Sequence, residues 1–275
     1  MLKQRILTAL ILVPLLLAAL FYLPLPWLTA LFGLVTAAAA WEWAGLAGLQ
    51  RFSSRIVYVV ILLLFAVPAL IAMPMQHDLA VPLLAAAGLW WLWALLEIFV
   101  RRETNQGLFA TQIGRFAGGF LVLVPLWLAA VYLLAVDNER PRLLLFLLFL
   151  VWVADSAAYF AGSFFGRTKL APHVSPGKTV EGVAGGVLGV VLLAWLCGTM
   201  LWKFEGALLA KWIGLAVVTA LISVVGDLTE SRLKRIAGVK DSGRLLPGHG
   251  GMLDRIDALT AAAPVFALGA IFLLK

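Results

Sequence analysis

The stretch GALLAKWIGLAVVTALISVVGDLTESRLKR, residues 206–235, decides the fold. Its first part, 206–226, carries a single charge, Lys211. At about 1.5 Å of rise per residue it reaches across a hydrocarbon core about 30 Å thick. The polar run Asp227-Leu228-Thr229-Glu230-Ser231-Arg232-Leu233-Lys234-Arg235 follows with no clear break. If the helix continues, Asp227, Glu230, Ser231 and Lys234 share one face by i, i+3, i+4 spacing. A carboxylate, a hydroxyl and an ammonium then meet where an apolar helix leaves the bilayer.

The rest of the chain fits that reading. Of 275 residues, 63% are hydrophobic and 13% charged, against usual shares of about 45–50% and about 25%. Mean hydropathy is +1.03. A soluble domain needs more polar surface than this, and disorder, collagen and coiled coil fail on the same figures. The expected class is all-α, a polytopic integral membrane helical bundle of about nine transmembrane helices. The spans are expected at 5–23, 27–48, 56–73, 79–99, 116–136, 142–163, 183–202, 206–226 and 256–274. The first is expected to be retained rather than cleaved, because it is too long for a signal peptide and lacks a small-residue cleavage site. Pro14, Pro68, Pro82 and Pro125 fall in or near spans, which membrane helices tolerate. Gly185, Gly186 and Gly189 should allow close helix packing, within one bundle before any dimer.

Net charge is +7. Nine spans leave 16 of the 21 Lys and Arg residues on one side, which predicts a cytoplasmic N-terminus and an outside C-terminus. Two loops on that side, about 163–182 and 227–255, are long and rich in Gly, Pro, Lys and Asp. The chain divides into an N-terminal set of about five helices, 1–140, and a C-terminal region with the polar loops, 141–275. The lone Cys197 excludes an intrachain disulfide and makes a cysteine metal site untenable. Three histidines, with His77 on the outer side, do not make a zinc site.

Within the second loop, Lys240 to Gly251 is too rich in glycine and proline for a helix, and such backbone can turn N–H groups toward an anion. Asp254 and Asp257 then face the same way at the start of the ninth span. Asp227 and Asp254, at the ends of adjacent spans, are hard oxygen ligands suited to Mg²⁺ with phosphate oxygens and water. In the first loop, Gly177-Lys178-Thr179 resembles the end of a P-loop. Position 172 is Pro172 instead of glycine and no strand is expected before it, so the P-loop is rejected. Asp155, Tyr159 and Gly162 share a face of the sixth span, and a charge there should face the bundle interior and meet a cation. Glu42, between Trp41 and Trp43 in the second span, poses the same question and is read as structural.

The segment from Ser231 to Asp257 resembles the signature of phosphatidate cytidylyltransferases, also called CDP-diacylglycerol synthases. It reads Ser-Arg-Leu-Lys-Arg, four residues, Lys-Asp-Ser-Gly, then Leu-Pro-Gly-His-Gly-Gly-Met-Leu-Asp-Arg-Ile-Asp. The Asp155, Ala158, Tyr159, Gly162 face and the Ser175-Pro176-x-Lys178-Thr179-x-Glu181-Gly182 loop are similar to family motifs. The resemblance starts near residue 150, and the N-terminal half matches only in being hydrophobic.

The resemblance implies a reaction in which CTP and phosphatidate give CDP-diacylglycerol and pyrophosphate. It implies a multi-pass protein of a bacterial-type inner membrane with its site facing the cytoplasm, where CTP is found. Transfer of this kind depends on positioning and charge neutralisation, and two metal ions about 3.5–4 Å apart could clamp the reacting oxygens. Asp227 and Asp254 are then expected as metal ligands, with Asp257 and Asp155 as weaker candidates. One Mg²⁺, two divalent ions, or one with a monovalent cation remain open. Lys178, Lys234, Arg235 and Lys240 would neutralise phosphates, and Ser175, Thr179 and Ser231 would hydrogen-bond phosphate or metal-bound water. Tyr159, His249, Gly250 and Gly251 complete the expected substrate contacts. The expected partners are CTP, phosphatidate and the bilayer, and the packing glycines permit a homodimer. Nucleic acid falls away, because topology and phosphate account for the basic residues. A CDP-alcohol phosphotransferase lacks its repeated-aspartate motif here. A transporter would place polar groups at the midplane and repeat a broken-helix pair.

Overall fold

The computed structural model describes residues 2–72, 77–100, 106–137, 141–246, 248 and 250–274. Among these, nine long helices run in chain order: α1 (Leu2–Tyr22), α2 (Leu25–Leu46), α3 (Phe52–Ala72), α4 (His77–Val100), α5 (Gln112–Val136), α6 (Arg142–Phe165), α7 (Val180–Met200), α8 (Gly206–Ile236) and α9 (Leu253–Leu273). The last eight are long and apolar enough to cross a membrane, and the apolar stretch of α1 is Leu10–Tyr22. The protein is a polytopic helical membrane protein. All four expected prolines lie inside helices.

Helix α9 is the hub, packing on α2, α4, α5, α6 and α8. Its middle runs Thr260-Ala261-Ala262-Ala263-Pro264, all buried. Small side chains let five neighbours approach one helix, as is usual where lipid leaves packing as the driving force. The α6–α7 contact is built the same way. A Cβ added at Gly186 would lie 2.9 Å from the Ala154 carbonyl oxygen, one at Gly189 2.9 Å from the Ala157 Cβ, and one at Gly185 would collide with Ala161. At the end of the bundle remote from the polar loops, Phe146 stacks on Trp212 with ring centroids 4.5 Å apart and fastens α6 to α8.

Helix α8 does continue past its apolar part. Its 31 residues span about 46 Å, more than the hydrocarbon core, so its polar end stands clear of lipid. It stops at Gly238, whose φ of 70° suits a left-handed cap, with the Gly238 and Val239 N–H groups donating to the Arg235 and Lys234 carbonyls.

The loop between α6 and α7 is not irregular as expected. It folds as an antiparallel hairpin of β1 (Lys169–Ala171) and β2 (Ser175–Thr179). A strand therefore carries the Gly177-Lys178-Thr179 segment after all. The missing glycine at Pro172 still excludes a P-loop. The sequence does not reveal the hairpin because its strands, of three and five residues, are too short to show the alternation that marks a half-buried strand.

Candidate active site

Two polar regions stand at the same end of the bundle. The first is a cleft of about 480 Å³ between α6, β2, α7 and α8. Asp155, Tyr159, Ser175, Lys178, Thr179 and Asp227 line it, above apolar walls from Ala154, Val183, Val187, Ala220 and Val224. The Lys178 ammonium lies 2.7 Å from an Asp227 carboxylate oxygen, with the two side chains 22% and 29% exposed. The pair is partly wet, so either partner can be exchanged for a ligand without stranding a buried charge. Ser231, one turn beyond Asp227, donates to its other oxygen at 3.2 Å. Asp155 does not face the bundle interior as the sequence reading expects: it is an exposed lining residue of the cleft it shares with Lys178 and Asp227, and the Lys178 ammonium pairs with Asp227 instead.

Local structure sets these positions. Thr179 is the N-cap of α7, its hydroxyl accepting from the Gly182 N–H at 3.1 Å. Such a cap contributes about 1 kcal/mol. Thr179 also lies where a Cβ on Gly162 or Gly182 would come within 3.0 Å of its oxygen. Glu181 accepts from the Arg167 and Thr168 N–H groups, each at 3.1 Å, and ties the segment leading into β1 to α7. The exposed Arg235 donates to the Val174 carbonyl at 3.4 Å, so α8 holds the hairpin turn.

The second region is a knot around the loop between α8 and α9. Lys234 donates to Asp254 at 2.8 Å and to Glu230 at 3.2 Å. Asp254 also accepts from the Ser242 N–H at 3.0 Å and the Gly251 N–H at 2.8 Å, so both its oxygens are engaged. Asp257 accepts from the Ala258 N–H at 2.7 Å and lies against Glu230. Gly250, at φ 83°, turns beside Asp254, and its carbonyl pairs with the Leu246 N–H at 2.9 Å. Lys240 is exposed on this loop. His249 lies outside the described residues. Among the described residues, no three His, Cys, Asp or Glu side chains gather around one point.

Two further contributors have partners that only the fold shows. Arg232, read from sequence only as a cytoplasmic charge, is buried against α4. It donates to the carbonyls of Glu97 at 3.0 Å and Gln106 at 2.8 Å and lies 3.9 Å from the Glu97 carboxylate. It fixes the facing direction of the α8 tip. Glu42 reaches from α2 into the knot, and Met252, Leu253 and Ser242 all donate to it. The only sequence signals were a glutamate inside each of two apolar spans.

Membrane-crossing helices with a charged, partly wet cleft at their ends, apolar below and polar above, define a membrane protein with a site lined by both polar and apolar groups. Comparison with known proteins narrows this. The family model described as "Cytidylyltransferase family" matches residues 3–272, and the chain belongs to that family. It is 43% identical to a phosphatidate cytidylyltransferase of Pseudomonas aeruginosa over 272 residues, 97% of this chain and 96% of the relative. It is 37% identical to one from Haemophilus influenzae, covering all of both chains. Over 117 residues, 42% of this chain and 43% of the other, identity to one from Thermotoga maritima reaches 50%. The likeness runs over the whole chain, well beyond the start near residue 150 that the motifs marked.

Proposed function

We propose that the protein transfers CMP from CTP to phosphatidate, forming CDP-diacylglycerol and pyrophosphate. The observation that carries this is the Lys178–Asp227 pair at the polar mouth of a cleft with apolar walls. A lipid phosphate can rest at the mouth while its glycerol backbone and chains lie against Val183, Val187 and Val224.

In the reaction, an anionic oxygen of the phosphatidate phosphate attacks the α-phosphorus of CTP. A new P–O bond forms there, the bond from the α-phosphorus to the β-bridging oxygen breaks, and pyrophosphate leaves with that electron pair. The nucleophile is already ionised at neutral pH, so no strong base is needed. Lys178 neutralises charge at the mouth, Ser175 and Ser231 orient phosphate oxygens, and Asp155 and Tyr159 bound the cleft on α6. Thr179 keeps the N-terminus of α7, with its partial positive charge, aimed at the anion. Lys234, Arg235 and Lys240 add positive potential from the α8 end, and Gly250, Gly251 and His249 are the proposed contacts of the nucleotide phosphates.

A divalent cation, Mg²⁺, would find at Asp227 a hard, partly exposed carboxylate with the Ser231 hydroxyl beside it, and would bind there by displacing the Lys178 ammonium from its oxygen. Such an ion would neutralise phosphate charge. Asp227 would hold it, whereas Asp254 and Asp257 join only if the knot opens, because their oxygens are engaged within the protein. The charge bias of the loops supports a bacterial inner membrane setting with the site facing the cytoplasm, and the exposed apolar faces of α3 and α6 leave room for a homodimer.

The test is an assay of purified protein in detergent with radiolabelled CTP, with and without phosphatidate and Mg²⁺. Pyrophosphate release that requires both supports the proposal. Release independent of lipid, or none, overturns it.

A further inference from the structure

Glu42 is a buried acid on α2, 6% exposed, in the half of the chain without recognisable motifs. Its carboxylate accepts from the Met252 N–H at 3.0 Å, the Leu253 N–H at 2.8 Å and the Ser242 hydroxyl at 2.9 Å. Among the described residues no cation faces it within ion-pair distance. A buried carboxylate without a counter-ion is costly unless hydrogen bonds and dipoles replace water. Here they do so from two places, the start of α9 and Ser242 at the far end of the loop before it.

Helix α9 begins without a capping side chain of its own, since its N-cap is Met252. The first N–H groups of a helix lack intrahelical partners. Glu42 takes two of them from a helix more than 200 residues earlier in the chain, and the α9 N-terminal dipole favours its charge. The same carboxylate holds Ser242, whose N–H donates to Asp254. One side chain thus pins both ends of the glycine-rich loop. The glycines record this closeness: a Cβ on Gly243 or on Gly251 would collide with the Glu42 carboxylate.

We infer that Glu42 is a positioning residue for the transfer reaction, holding Ser242 and the Gly251–Leu253 turn in the positions that receive the phosphates of the nucleotide. It touches neither substrate and acts through Ser242, Gly251 and Asp254. The inference rests on the function proposed above and adds that the N-terminal half sets nucleotide affinity.

The experiment uses full-length protein in detergent micelles containing phosphatidate, and measures kcat and KM for each substrate alongside the thermal unfolding midpoint. For Glu42→Gln, which turns an N–H donor toward the loop's own donors, KM for CTP should rise about 30-fold. KM for phosphatidate should change less than about twofold, since the lipid cleft is not built from this loop. Glu42→Asp, which keeps the charge on a shorter arm, should recover part of the loss. Ser242→Ala should raise KM for CTP about threefold alone and add little on top of Glu42→Gln, because both break one bond. A purely structural Glu42 would lower kcat and the midpoint while leaving KM for CTP unchanged, and that result overturns the inference. So do losses that multiply in the double variant. If Glu42→Gln does not accumulate, Ser242→Ala decides: a raised KM for CTP supports the inference and an unchanged one refutes it. An inactive wild type would count against the reaction itself, a separate outcome.

Discussion

The cleft and the knot lie at the same end of the molecule and hold their charges in opposite ways. In the cleft, Lys178 and Asp227 face each other while still partly wet. In the knot, the Lys234 and Asp254 side chains are only 14% and 6% exposed, Glu42 is buried, and each is held by several groups of the protein at once. Wet charges can trade partners with a ligand. Saturated charges hold a backbone shape and lose their purpose when one is removed. We propose that the first region exchanges its charges with substrate and that the second holds the shape of the loop that meets the nucleotide, although both carry the same residue types.

The sharpest way to break this division is Asp227→Asn, which should reduce kcat by about 10³-fold while leaving the unfolding midpoint nearly unchanged. A large fall in the midpoint would move Asp227 into the knot's class. Lys178→Met should follow with a loss of about 10²-fold, again without loss of stability, read by steady-state assay and thermal unfolding together. Gly251→Ala works from the other side. It forces Glu42 and Ser242 away, so it should destabilise by about 1–3 kcal/mol and lower activity about tenfold, with the midpoint falling in step. Smallest is Lys240→Ala at the exposed rim, where KM for CTP should rise about two- to threefold. That rise should shrink as salt is added, which a titration of ionic strength would show.

Much of this was legible in the sequence because lipid imposes strict rules. Apolar runs of about 20 residues have few structural options, so the spans at 142–163 and 206–226 anticipated the membrane parts of α6 and α8. The i, i+3, i+4 face from Asp227 to Lys234 followed from helix geometry alone. What stayed hidden depends on contacts between distant segments. Nothing local to Trp41-Glu42-Trp43 shows that the glutamate caps a helix some 210 residues later. The pairing of Arg232 with α4 is equally invisible, since the charge reads as a topology signal until its partner is seen. Likewise Asp254 looked like an open ligand from its spacing, and only the fold shows Lys234, Ser242 and Gly251 already bound to it.

The most direct measurement is occupancy of the cleft by lipid phosphate. Ser163 is exposed and lines the cleft, and Cys197 is the chain's one cysteine. A Cys197→Ser, Ser163→Cys protein in detergent can be followed by its rate of maleimide modification. Phosphatidate at about ten times its Kd should slow that rate about tenfold, and phosphatidylcholine at the same concentration should not. Equal rates with the two lipids would contradict the account, because the anionic headgroup would then bind somewhere other than between Lys178 and Asp227.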